Sequence, residues 1–181
     1  MATRKLKLTG LAYWSKVFSG NRDLTGFEDA LKDIGGQTCI DVDLDEDGMA
    51  LLRKSKSMKK GSPSPDNDGM TRVRFTRKWT ENYGGGAPIV HKADGTDWNY
   101  DDEGAIGNGS TVQVVLSVYD TSRKSIVGTR LDKVKVLEHL EYTPDEDEDD
   151  EPAPPPKKAA TPPAKKAPPK HDIDDDDIPF N

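Results

Sequence analysis

The chain has 181 residues, with 26 Lys and Arg against 33 Asp and Glu, 13 Pro, one Cys and a formal charge of −7. That length holds one domain, or one domain with an appendage, and no apolar run nears the roughly 20 residues that cross a bilayer. Cys39 alone excludes a disulfide scaffold, and with only His91, His139 and His171 beside it neither a structural zinc site nor any other metal or cofactor is expected.

In chain order, residues 6–18 read as a strand interrupted at Gly10, and they carry Tyr13, Trp14 and Lys16. Residues 1–7 are basic, but no apolar stretch follows as in a secretory signal. Thr25-Gly-Phe-Glu28 has capping-box spacing, and Leu24, Phe27, Leu31 and Ile34 follow on one face, so a helix is predicted up to Gly35-Gly36. Residues 38–44 (TCIDVDL) alternate with period two, Ile40, Val42 and Leu44 opposite Cys39, Asp41 and Asp43. Residues 45–58 are acidic first and basic last, which complements a helix dipole. Residues 71–79 (TRVRFTRKW) alternate again, with Arg72, Arg74, Thr76 and Lys78 opposite Val73, Phe75, Arg77 and Trp79. Residues 110–119 gather Val112, Val114, Leu116 and Val118 on one face, and residues 126–142 make a long strand with Gly128 as its expected bulge or bend. Five strands and little helix predict an all-β fold. The first choice is a five-stranded OB-fold-like barrel with one or two short helices, and the second is a sandwich.

Asp43-Leu-Asp45-Glu-Asp47-Gly48 opens like a calcium loop, but its twelfth position is Lys54 where a bidentate Glu is required. The Gly84-Gly85-Gly86 and Gly107-Asn108-Gly109-Ser110 runs lack phosphate-loop spacing and read as turns. No nucleophile, base or carboxylate set points to an enzyme. The basic residues are more informative. Arg53, Lys54, Lys56, Lys59 and Lys60 fall in eight residues, and Arg72, Arg74, Arg77 and Lys78 follow, close to Trp79 and Tyr83. Cations interleaved with flat rings suit single-stranded nucleic acid, where phosphates need charge and bases need stacking surfaces. Tyr13, Trp14 and Lys16 repeat the combination, although alternation groups Phe75 and Trp79 with the core residue Val73.

Charge divides the chain at Pro144. Residues 1–143 carry 21 basic and 21 acidic side chains, whereas residues 144–181 carry 5 basic against 12 acidic, and with them the whole net charge. The second part also holds 10 of the 13 prolines, so it is expected to be a disordered acidic and proline-rich tail. Seven consecutive acids at 145–151 lead into a Pro/Ala/Lys spacer of polyproline II type, then into DIDDDDIPFN. An apolar cluster at the end of a long spacer reads as a tethered recognition peptide: Asp174, Asp175, Asp176, Asp177, Ile178, Pro179 and Phe180.

Together, the basic-aromatic body and the acidic, aromatic-ended tail resemble the single-stranded DNA-binding proteins of tailed phages. The turn 107–110 with the strands on either side of residue 120 is similar to the late strands of that family. Residues 175–180 (DDDIPF) match the closing hexapeptide of bacterial SSB tails, with Asn181 standing one residue beyond. The resemblance implies an OB fold, cooperative or dimeric coating of single strands, and recruitment of replication proteins through the tail. It also implies a cytoplasmic location, that of the host cell for a phage protein. The expected function is sequence-nonspecific binding of single-stranded DNA in replication or recombination, without catalysis. The alternative is an acidic-tailed interaction or assembly protein.

Overall fold

The computed structural model describes residues 3–80, 85–121 and 126–141. Seven strands form one sheet in the order β3-β4-β2-β1-β6-β7-β5. They are β1 (Thr3–Lys16), β2 (Gln37–Leu44), β3 (Gly61–Pro63), β4 (Thr71–Lys78), β5 (Ile89–His91), β6 (Thr111–Asp120) and β7 (Val127–Glu138). The five long ones fall on the five runs read as strands in the sequence; β3 and β5 are three-residue additions at the two edges. Apart from the parallel pair β5–β7, the neighbours are antiparallel.

β1 is long enough to pair with β6 through Thr3–Leu11 and with β2 through Leu11–Lys16, which curls the sheet on itself. Gly10 sits at this crossing, where a Cβ would lie 2.2 Å from the carbonyl oxygen of Asp43. The residue that interrupts the predicted strand is what lets β1 and β2 approach. Curling encloses one core, built from Leu8, Ala12, Ile40, Val42, Leu44, Val73, Phe75, Val112, Val114, Leu116, Leu131, Val134 and Val136. β4 and β7 come together without a ladder, and Arg77 joins them. Its guanidinium donates to the carbonyl oxygen of Leu131 and to Asp132, both at 3.3 Å. The order of the long strands, closed at β4 and β7, is that of a five-stranded OB-type barrel.

α1 (Glu46–Lys54) starts where the Asp45 carboxylate accepts from the Gly48 N–H at 2.7 Å, and it drives Leu52 into the core. It ends four residues earlier than charge patterning predicts. The Ser55 hydroxyl takes up the Leu52 carbonyl at 2.7 Å, and Lys56 turns left-handed at φ 63°.

Two sequence expectations are corrected. The predicted helix before Gly35 is instead two 3₁₀ turns, Phe27–Asp29 and Lys32–Ile34. Glu28 and Asp29 have φ of 51° and 60°, and the Asp23 carboxylate accepts from the N–H groups of Thr25 and Gly26. Local side-chain bonds there outcompete the helical ladder. Gly128 is not a bulge, since the β6–β7 register shifts at Thr111/Val112 and Val115/Leu116. The glycine instead leaves room for the Tyr119 ring, whose Cζ would lie 2.4 Å from an added Cβ. A second short helix, α2 (Tyr100–Glu103), lies between β5 and β6.

Candidate nucleic-acid interface

The outer side of β1, β2 and β4 is a three-strand face whose rows follow from register. Gln37 opposes Lys78; Lys16, Cys39 and Thr76 align; Tyr13, Asp41 and Arg74 align; Leu11 and Asp43 align with Arg72. Four rows at two-residue spacing extend over about 20 Å. Alternation correctly puts Arg72, Arg74 and Lys78 on this face, away from Val73 and Phe75. It does not reveal what each cation meets there.

Arg72 is committed to the fold. Its guanidinium grips the Asp43 carboxylate in a fork, Nε–Oδ1 2.7 Å and Nη2–Oδ2 3.0 Å, and also bonds Asp66 at 2.7 Å. Asp43 is fully buried and accepts further bonds from Asn67 at 2.8 Å and from the Ser64 hydroxyl. Asn67 also donates to the Tyr13 hydroxyl at 2.9 Å, and Arg72 lies 3.9 Å over the Tyr13 ring. Burial by itself would raise the Asp43 pKa, but the bonds from Arg72, Ser64 and Asn67 outweigh it and hold the carboxyl below its usual range. This end of the face, with Tyr13 and Arg72, is sealed by residues 64–67.

Arg74 repeats the fork on Asp41, at 2.6 and 2.8 Å, yet its side chain remains 62% exposed. Lys59 comes in beside it, with Nζ 3.5 Å from the Thr76 hydroxyl. Burial, then the charge of Arg74, lowers the Lys59 pKa, so two cations are crowded at one place on the face. Lys16 is exposed in the same row as Thr76, and Lys78 is exposed one row further on. Between Tyr13 and Lys16 the β1–β2 ladder carries a bulge, and there Trp14 stands 62% exposed.

The other predicted contacts are distributed differently. Arg77 points to the core side and holds the β4–β7 seam; its further bonds go to the carbonyls of Gly85 and Gly86. Burial and the nearby Arg130 lower its pKa, against Asp132. Trp79 is half-buried rather than part of the core, with Arg22 stacked 4.4 Å above its ring. The last turn of α1 carries Arg53 and Lys54, exposed, and Lys56 and Lys60 are exposed in the segment after it. That segment leans on β7, Ser57 bonding Thr129 at 2.7 Å. Tyr83 and the tail residues Asp174 to Phe180 lie outside the described residues.

Alternation missed Asp41 and Asp43 as the counter-charges of Arg74 and Arg72, although Asp-x-Asp in one strand and Arg-x-Arg in another carry matching spacing. Arg22 and Asn108, which reach Trp79 and Trp14, have no signal in sequence. Among the described residues no cluster of His, Cys, Asp or Glu could hold a metal ion. No helix among them is long and apolar enough to cross a membrane.

A mainly β barrel of OB type with a basic, aromatic-bearing outer face is therefore the class that fold and surface define. Solved structures with the same fold include the single-stranded DNA-binding protein of bacteriophage Enc34 in complex with ssDNA, at 14% identity and TM-score 0.53, matching 76% of this chain and 88% of that one. Another is gp2.5, a single-stranded DNA-binding protein encoded by bacteriophage T7, at 16% identity and TM-score 0.51, matching 83% of this chain and all of that one. No family model and no curated protein matches the sequence.

Proposed function

We propose that this protein binds single-stranded DNA without regard to sequence and without catalysis, along the outer face of β1, β2 and β4. The observation that carries the reading is Trp14, a ring exposed in the β1 bulge two residues before Lys16, whose row adjoins that of Arg74. Phosphates would run along Lys16, Lys59, Arg74 and Lys78 while a base lies on the indole. Arg72 and Arg77 serve the scaffold in this reading. The fold shared with single-stranded DNA-binding proteins of phages supports it.

The finer role, in phage replication or recombination, rests on the tail. We propose that residues 1–143 form the binding domain and 144–181 a disordered arm. Its 12 acids compete with DNA for the basic face, and Asp174–Phe180 captures replication proteins. A tethered polyanion acts at an effective concentration that reaches about millimolar.

Titration of labelled oligo-dT with the full chain from low to high salt tests the first part. Affinity should fall steeply, with a slope near −0.7 in log K against log salt for each phosphate neutralised. Flat affinity, or preference for duplex, would overturn it. Deleting residues 144–181 should raise affinity, most at low salt where screening is weakest. Equal or weaker binding without the tail would refute the competition.

A further inference from the structure

We propose that Trp14 is a base-stacking platform held out of the sheet by a strained bulge, and that Asn108 is the residue that positions it. The inference rests on the single-strand reading and adds which ring stacks and what holds it.

Register passes from Tyr13↔Asp41 to Lys16↔Cys39, three steps on β1 against two on β2, so β1 carries one extra residue here. Trp14 in this bulge has φ 48°. A bulge whose residue turns left-handed normally places glycine there, because a side chain at positive φ crowds its own backbone. Tryptophan is among the bulkiest residues for such a position. Nor does burial compensate: the ring is 62% exposed, while Ser15 next to it and Ala12 two residues before it are buried. The geometry thus carries a strain that a glycine would remove, for a ring that gives the core little.

What holds the bulge is the turn before β6. Gly109 N–H donates to the Ala12 carbonyl and Ala12 N–H to the Ser110 carbonyl, both at 2.8 Å. The Trp14 N–H, which the bulge leaves out of the ladder, donates to Asn108 Oδ1 at 2.9 Å. Three bonds from one turn clamp the residues at and just before the bulge, and only the Asn108 bond reaches Trp14 itself. Strain that persists because neighbours over-determine it is the pattern of a site kept for contact with something else. A flat exposed ring next to Lys16, one row from Arg74, meets the chemistry of an unstacked base whose phosphate is nearby. A duplex keeps its base faces in its own stack and offers the ring nothing.

The experiment uses the full chain as wild type, Trp14→Gly, Trp14→Ala, Asn108→Ala and the double variant Trp14→Ala/Asn108→Ala, each melted and titrated with labelled oligo-dT at low salt. Both Trp14 variants should bind about tenfold more weakly, the loss expected for one stacked base. Trp14→Gly should nevertheless melt above Trp14→Ala, by about 3 °C, because only glycine relieves the positive φ. Asn108→Ala should weaken binding in the wild-type background and change nothing further once Trp14 is gone, a coupling that general support of the fold would not produce. Equal melting of the glycine and alanine variants, wild-type affinity in either, or an undiminished Asn108 effect without the ring would overturn the proposal. A wild-type chain that ignores oligo-dT would overturn the single-strand reading and this inference with it. Wild-type binding with indifferent variants would overturn the inference alone.

Discussion

Arg72 and Arg74 are two residues apart on one strand, each forked onto an aspartate two residues apart on the next, and they do opposite things. Arg72 has 11% of its side chain exposed over an Asp43 with none; Arg74 has most of its side chain in water over Asp41. The difference lies outside the two strands. At the Arg72 end, Ser64, Asp66, Asn67 and the Tyr13 ring close over the pair; at the Arg74 end no such cover is present among the described residues. Identical cross-strand geometry therefore yields a buried brace in one row and an accessible cation in the next. A buried pair broken on one side leaves a charge without partner or water. Arg74 itself stands in water over an Asp41 side chain that is 9% exposed, so removing the guanidinium opens that carboxylate to water and costs less.

Removing each arginine in turn is the sharpest way to break this comparison. Arg72→Ala should destabilise the protein by about 3 kcal/mol in urea titration, since Asp43 stays buried. Arg74→Ala should cost about 1 kcal/mol or less, because taking away the guanidinium wets Asp41. Similar losses from the two would refute the distinction. For the same reason Arg72→Ala is a poor probe of DNA binding, whereas Arg74→Ala is a fair one.

Acid should act next most strongly, and through the brace. Asp43 and Asp132 both have folded pKa values below the ordinary carboxylate range. In each, burial opposes the shift and is outweighed, at Asp132 by bonds from Lys5, Ser117 and Arg130. A depressed folded pKa means stability that is complete above the unfolded value, about 3.9, and is lost as pH falls through the folded one. Urea midpoints should thus be flat from neutral pH down to the unfolded carboxylate range and drop below it. Arg72→Ala should flatten that acid limb; an unchanged limb would show that Asp43 does not contribute.

The smallest effect sharpens the binding side. Asp41→Asn leaves Arg74 in place but removes its counter-charge, so oligo-dT affinity should rise a few-fold. The salt slope should steepen by about 0.7, one phosphate's worth. An unchanged slope would mean that Arg74 does not meet phosphate, and the contacts would then shift to Lys16, Lys59 and Lys78.

Much of this architecture is set by residue pattern alone. Three runs of period two and two longer runs become the five long strands, because alternation is a local property of a half-buried strand. Asp45 caps α1 and Gly35 closes a 3₁₀ turn in the left-handed conformation, again through neighbours in sequence. The division of charge at Pro144 is likewise fully written in composition. Only tertiary structure decides what stands opposite. That Asp41 meets Arg74 and Asp43 meets Arg72 depends on the register of strands about 30 residues apart, and a one-residue slip would send those side chains to the other face. Whether a fork is then covered depends on where residues 64–67 close. Arg77, in step with Val73 and Phe75, stays charged on the core side only because β7 supplies the Leu131 carbonyl and Asp132, and Gly85 and Gly86 supply two more carbonyls. The outward Trp14 likewise needs Asn108, 94 residues away, to bond its N–H. Alternation tells a side chain which way to face, and only the closed barrel tells it what it will find there.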